Sequence, residues 1–250
     1  MKRSVLAAGL LSFCFACCAD SARADEIRVA VAANFSSAME GLAQRFQAST
    51  GHTVLASTGS TGGHYAQIRN GAPFEAFFAA DVARPKLLED QKIAIAGSRF
   101  TYAVGRIVLW SRQPGLVDAA GRVLEQEGFR HLAIANPELA PYGAAAREVL
   151  EHRGLWQRLQ GRLVMGQDIG QTYSFVFTGS AELGFVALSQ VSRPNRAIEG
   201  SYWVVPQDLY SPIEQQAVLL KDVPAARQFL DFVKSDEAKA LIESFGYGVQ

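Results

Sequence analysis

Cysteine is almost absent from this chain: three occur in 250 residues, at positions 14, 17 and 18. Everything after Cys18 lacks a thiol, so disulfide scaffolding, thiolate catalysis and cysteine-held metals are excluded there. Basic excess is missing too, since 24 Lys and Arg balance 24 Asp and Glu. A nucleic-acid partner wants a basic stripe, and none is written here. Histidine is scarce. His52, His64, His131 and His152 stand apart with no H-x-x-x-H spacing, which argues against a histidine metal site. After the first two dozen residues no apolar run is long enough to cross a bilayer.

Those first residues form a pattern of their own. Lys2-Arg3 is a positive start, Val5 to Cys18 is mostly apolar, and Ala22-Arg23-Ala24 is an A-x-A cleavage signal. Residues 1–24 therefore read as a secretory signal peptide. The expected mature protein begins at Asp25 and resides in the periplasm, free of cysteine and slightly acidic. A lipid anchor on Cys17 or Cys18 is the weaker alternative, because neither has the usual Leu three residues earlier.

The stretch that organises the remainder is Ser57-Thr58-Gly59-Ser60-Thr61-Gly62-Gly63. Seven small residues, four of them hydroxylic, stand directly before a helical pattern (Tyr65, Ile68, a stop at Gly71). Exposed N–H groups and hydroxyls at the positive end of a helix suit an anion. An ordinary capped loop is the competing reading of this stretch by itself.

Strand and helix patterns alternate around it. Ile27–Val31 alternates at period two, and a helix follows with Met39, Leu42, Ala43 and Phe46 on one face. Ser37 and Glu40 fit a capping box for that helix. Thr53–Ala56 is a strand, Phe74–Ala80 a buried strand, and Pro85–Asp90 a helix. Thr101–Trp110, broken at Gly105-Arg106, suits a strand crossing between two lobes. A second series runs through His131–Ala135, a helix from Ala144, the strand Leu163–Met165, a helix from Ile169 to Phe177, and the strand Leu183–Leu188. Asp168 and Gln171 have D-x-x-Q cap spacing. The strands Tyr202–Val205 and Gln216–Leu220 and two amphipathic helices complete the chain. The expected fold is α/β and two-lobed, each lobe a mostly parallel sheet flanked by helices, with the ligand cleft between lobes. Lobe 1 is expected over 25–104 and 211–250, lobe 2 over 105–210.

Four loops precede helices at strand ends: Asn34–Ser37, Ser57–Gly63, Pro141–Gly143 and Gln167–Gly170. None contains Lys or Arg. If they converge, the ligand is a small deprotonated oxyanion held by neutral dipoles, with Asn34, Ser36, Ser60, Thr61 and Tyr142 adding side-chain donors. Asp168 reads as a cap on its own helix. Enzyme readings fare badly. Gly59-Ser60-Thr61-Gly62 lacks the G-x-S-x-G spacing of a nucleophile elbow, and no Gly-Lys-Ser/Thr follows Gly59. His64 beside the glycines has no carboxylate partner close in sequence. Tyr173, Phe175 and Phe177 read as core packing.

Taken together, Val31-Ala32-Ala33-Asn34-Phe35, Gly59-Ser60-Thr61-Gly62, Gln67–Pro73 with Asp81, Asn136-Pro137 with Pro141-Tyr142-Gly143, and Gly184-Phe185-Val186 resemble the periplasmic molybdate-binding proteins of ABC importers, a branch of the type II periplasmic solute-binding proteins. The resemblance spans nearly all of Asp25 to Gln250. It implies a monomer that carries molybdate or tungstate to a membrane permease and ATPase. Molybdenum enters only within the bound oxyanion, and no cofactor is implied. It implies ligand positions at Asn34, at Ser60 and Thr61, at Tyr142, and at Ile169 as a backbone donor, with Ser36, Gly62 and Asp168 as secondary candidates. One position departs: Ala187 stands where many members have a Tyr, and Tyr142 is expected to supply the missing hydroxyl. The competing functions are a receptor for sulfate or another oxyanion, and a serine hydrolase using Ser60 or Ser36.

Overall fold

The computed structural model describes residues 24–192 and 196–249. The signal peptide and the two candidate anchor cysteines lie outside the described residues, apart from Ala24.

Strand β1 (Glu26–Ala32) lies inside the first sheet, paired on both sides. Its alternation serves two faces. Ile27, Val29 and Val31 pack with Phe35, Met39, Leu42 and Phe46, the last three on α1 (Ser36–Thr50). Ala30 faces the opposite way, toward Ile68 on α2 (Thr61–Arg69), Phe77 and Ala79 on β3 (Ala76–Ala79), and Leu88 on α3 (Ala83–Asp90). Both faces are covered, so β3 reads as an unbroken apolar run. With β2 (Thr53–Gly59), β4 (Phe100–Gly105) and the late strand β10 (Ile213–Leu219), the sheet has the order β2-β1-β3-β10-β4. The final helices α8 (Pro224–Val233) and α9 (Asp236–Ser244) return to pack against α1.

The chain then crosses at Arg106 into a second sheet. This sheet comprises β5 (Ile107–Ser111), β6 (Leu132–Ala135), β7 (Leu163–Gly166), β8 (Leu183–Ala187) and β9 (Ser201–Val204), in the order β7-β6-β8-β5-β9. The elements between them are α4 (Pro141–His152), the short α5 (Trp156–Leu159), α6 (Ile169–Phe177) and the short α7 (Leu188–Val191). Ile107 and Leu109 share a core with Tyr142, Val149 and Leu150 on the α4 side, while Val108 and Trp110 share one with Val176 on the α6 side.

The two-lobed α/β architecture expected from the alternation is present. Each sheet is mixed, however: the β1 and β6 pairings are parallel, while β10 and β5 pair antiparallel with both neighbours. The antiparallel strands are the ones that border the crossings. The capping box expected at Ser37 and Glu40 is not formed. A 3-10 turn, Ala33–Phe35, leads straight into α1, which begins at Ser36 without a side-chain cap. The turn buries Asn34 and Phe35 and places Ser37 already inside the helix. Tyr173 and Phe175 pack against the core as expected, but Phe177, at the end of α6, is half-exposed with the Arg112 guanidinium 4.8 Å from its ring.

Glu75 clasps the start of β3 to its neighbours. Its carboxylate accepts from the Arg28 backbone N–H and guanidinium, each at 2.7 Å, and from Lys221 Nζ at 3.4 Å. Burial raises the Glu75 pKa, but the hydrogen bonds from the Arg28 side chain and backbone and from Lys221 outweigh it, and the net shift is downward. A depressed carboxylate stabilises the fold above its ordinary titration range and ceases to do so as pH falls through the depressed value. Glu75→Gln is therefore expected to lower stability near neutral pH by about 1–3 kcal/mol and to flatten the acid limb of the stability profile. Urea unfolding of both proteins across pH 3–8 measures this.

Candidate functional site

Three helix starts and the Ala33–Phe35 turn converge between the two sheets. Asn34, Ser60, Thr61, Tyr142, Asp168 and Ile169 line one small pocket of about 10 Å³. Its remaining wall is Ala32, Ala33, Gly59, Ala80, Ala140 and Pro141, so among the described residues no Lys, Arg or His borders it. Ser36 and Gly62 are not part of the lining. A larger cavity of about 500 Å³ opens beside it, sharing Ala80 and Pro141, but its carboxylates, Asp81, Glu148 and Glu214, outweigh Arg84, which pairs with Asp81, and make it unsuited to a dianion.

Capping decides which donors remain at each helix start. At α2, Gly62 N–H donates across the cleft to Leu139 O at 2.8 Å, Gly63 N–H to Ser60 Oγ at 3.2 Å, and His64 N–H to Ser60 O at 3.0 Å. At α4, Pro141 has no N–H, and Gly143 and Ala144 both donate to Ala140 O. At α6, Gln171 N–H donates to Asp168 Oδ1 at 2.8 Å and Thr172 N–H to Asp168 O. Among the described residues this leaves Thr61, Tyr142 and Ile169 as the pocket-lining positions whose N–H groups lack a helical partner.

The hydroxyls are arranged in the same sense. Ser60 Oγ accepts from Gly63 N–H, and Thr61 Oγ1 accepts from Ala80 N–H at 3.0 Å, so each O–H is left to donate. Asn34 behaves differently. Its Nδ2 donates to Gln215 Oε1 at 2.8 Å and to Tyr247 OH at 3.0 Å, engaging both amide hydrogens inside the protein. Tyr142 OH accepts from Gln215 Nε2 at 3.1 Å. Burial holds the phenol pKa values of Tyr142, Tyr102 and Tyr247 above the ordinary tyrosine range, so all three stay protonated near neutral pH. Asp168 caps its own helix, as its spacing indicates, while bordering the pocket.

A ring of O–H and N–H donors without a formal cation suits a small, fully deprotonated anion. This geometry has close counterparts. A family profile for bacterial extracellular solute-binding proteins matches residues 27–248. The chain belongs to that family. Among relatives of this solute-binding protein, the molybdate-binding protein ModA of Azotobacter vinelandii is 53% identical over 248 residues, 98% of this chain and 96% of that protein. ModA of Rhodobacter capsulatus is 48% identical over 229 residues, 90% of this chain and 89% of that one. The solved structure of the A. vinelandii periplasmic molybdate-binding protein superposes with a TM-score of 0.88 at 47% identity, covering 90% of this chain and 99% of that one.

As a solute-binding protein the chain is not an enzyme, and the geometry agrees for the two serines considered as nucleophiles. Ser60 Oγ caps α2. The nearby His64 ring is buried, pairs through Nδ1 with Gln67 Oε1 at 3.2 Å, and has no hydrogen-bond partner at Nε2. Burial also lowers its pKa, which keeps it neutral near pH 7. No base therefore engages Ser60, and Ser36 lies off the pocket. Reasoning from the sequence missed Gln215, Tyr102, Tyr247 and Ser189. Tyr102 OH donates to Gln215 Oε1 at 3.0 Å, and Tyr247 OH and Ser189 Oγ both reach Asn34 O.

Proposed function

We propose that this solute-binding protein captures molybdate, and tungstate with it, in the periplasm and delivers it to the permease and ATPase of an ABC importer. The observation that carries the reading is the 53% identity to a molybdate-binding protein over 98% of the chain. The pocket supports it, with hydroxyl and N–H donors on its walls and the Asp168 carboxylate at its border engaged in capping its own helix. The anion receives the Ser60 and Thr61 hydroxyls, the Tyr142 hydroxyl and the N–H groups of Thr61, Tyr142 and Ile169. Asn34 contributes by holding the first loop and not through its engaged amide. Export on residues 1–24 with cleavage after Ala24, and action as a monomer, belong to the same proposal. Titration of the mature protein with molybdate in a calorimeter tests it: one site per chain is expected, and absence of heat and of any rise in melting temperature refutes it.

Tyr142→Phe isolates one donor. The phenol is a neutral donor to a charged acceptor, worth roughly 1.5–3 kcal/mol. Affinity should drop by the corresponding factor while the ligand-free melting curve changes little, since the ring remains in the core. Unchanged affinity would mean that Tyr142 serves the anion through its backbone alone.

A further inference from the structure

Gln215 is fully buried on β10, at the point where the pairing of β10 with β4 shifts register between Gln215 and Gln216. The extra residue of that shift, Tyr102, lies on β4. Gln215 shares the face of β10 that carries Ile213 and Ala217, and its amide lies at the seam between the two sheets. The amide makes three contacts. Oε1 accepts from Asn34 Nδ2 at 2.8 Å and from Tyr102 OH at 3.0 Å, and Nε2 donates to Tyr142 OH at 3.1 Å. Asn34 and Tyr102 belong to the first sheet's side of the cleft, and Tyr142 to the second.

The orientation of that amide has a chemical consequence. A phenolic oxygen that accepts from Nε2 keeps its own proton for another acceptor. Among the described residues no acceptor for the Tyr142 proton is found, and Tyr142 lines the pocket. If the amide carbonyl faced Tyr142 instead, the phenol would donate to the protein and present a lone pair to an incoming anion.

We propose that Gln215 is a positioning residue for oxyanion capture: by donating to the Tyr142 oxygen, it forces the Tyr142 hydroxyl to donate into the pocket. This rests on the oxyanion-binding reading above and adds to it a residue that does not touch the ligand. Tyr142 and Gln215 belong to opposite sides of the cleft, so this orienting bond spans the two sheets.

The test is a set of calorimetric titrations with molybdate on wild type, Gln215→Glu, and each combined with Tyr142→Phe, between pH 5.5 and 8. At pH 8 a glutamate at 215 accepts the Tyr142 proton, and affinity should fall by roughly a hundredfold or more. As pH falls and the buried carboxyl protonates, its O–H donates to Tyr142 as Nε2 did, and affinity should recover toward the wild-type value. Repulsion between the new carboxylate and the anion would give a similar pH profile, and the double variant separates the two. With the phenol turned away, Tyr142→Phe should cost nothing further in the Gln215→Glu background at pH 8. The same penalty for Tyr142→Phe in both backgrounds overturns the proposal, as does an affinity of Gln215→Glu equal to wild type. Should Gln215→Glu not fold, Gln215→Met, which cannot donate, takes its place. The Tyr142→Phe penalty should then shrink below the wild-type penalty, and an unchanged penalty again overturns the proposal. Absence of molybdate binding by the wild type itself would instead remove the functional reading.

Discussion

Gly105→Ala is expected to weaken molybdate binding by roughly a thousandfold, about 4 kcal/mol, in a protein that still folds. Gly105 ends β4 at the crossing between sheets. A Cβ added there would overlap the Tyr142 hydroxyl and lie 2.6 Å from Gln215 Nε2. Neither neighbour has room to retreat. Tyr142 is only 1% exposed, and Gln215 is tied to Asn34 and Tyr102. Overpacking of this kind costs about 1–3 kcal/mol where the surroundings hold. Here the surroundings have an exit, because Tyr142 belongs to α4 and Gly105 and Gln215 to the other sheet. Separation of the lobes relieves the overlap with Tyr142 and frees the Gln215 amide end from its Tyr142 partner, so that it can turn from the new methyl; the phenol leaves the anion and both cores stay intact. Calorimetry should show the loss, and the ligand-free melting curve should shift little. Affinity within tenfold of wild type would contradict this picture of the seam.

Gly62→Val should weaken binding by about a hundredfold, nearly 3 kcal/mol, chiefly through faster release. The Gly62 N–H reaches Leu139 O, and beside it Arg84 Nη2 donates to Glu138 O at 2.9 Å, so α2 and α3 together hold the 136–140 loop from across the cleft. A Cβ at Gly62 would lie 3.1 Å from both Leu139 Cα and Leu139 O and 3.2 Å from Arg84 Nη2. Alanine strains that contact, and the γ-methyls of valine have no space at all. The loop must move outward, and the closed form loses both bonds. Stopped-flow mixing should find the association rate nearly unchanged and dissociation faster. A slower association with unchanged release would place the Gly62 contact on the entry path instead.

These two glycines mark the boundary of what could be read from the chain. Local rules were sufficient for most of the loops, through small residues before a helix and a D-x-x-Q cap, although α4 begins at Pro141 and not at Ala144. Six of the eight candidate positions accordingly line one pocket. The support behind them was not legible. Asn34 and Gln215 are 181 residues apart, and Asn34 and Tyr247 are 213 apart. Gln215 falls just outside the strand pattern at Gln216–Leu220, and nothing local signals that β10 begins at Ile213 and sets this amide at the cleft. Serial patterns also overstate simple solutions. Ser37 and Glu40 had the spacing of a capping box, but burial of Phe35 against Tyr102 and Tyr247, with centroids at 4.6 and 5.4 Å, started the helix earlier. On the second sheet's side of the cleft, Ala187 ends β8 and Tyr142, on α4, is among the residues that line the pocket.

Selectivity among anions tests the central claim most directly. Phosphate near neutral pH still carries a proton, which needs an acceptor, while the groups proposed to hold the anion are donors; the bordering carboxylate, Asp168, caps its own helix through Oδ1, and only a bond to its Oδ2 would admit that proton. Sulfate carries no proton but is a smaller tetrahedron, so donors set for molybdate make long, weak bonds to it. Tungstate matches molybdate in charge and nearly in size. Competition calorimetry on the mature protein with the four anions should therefore find molybdate and tungstate binding alike, with sulfate and phosphate failing to displace them even in large excess. A phosphate or sulfate affinity comparable to that for molybdate would contradict the account.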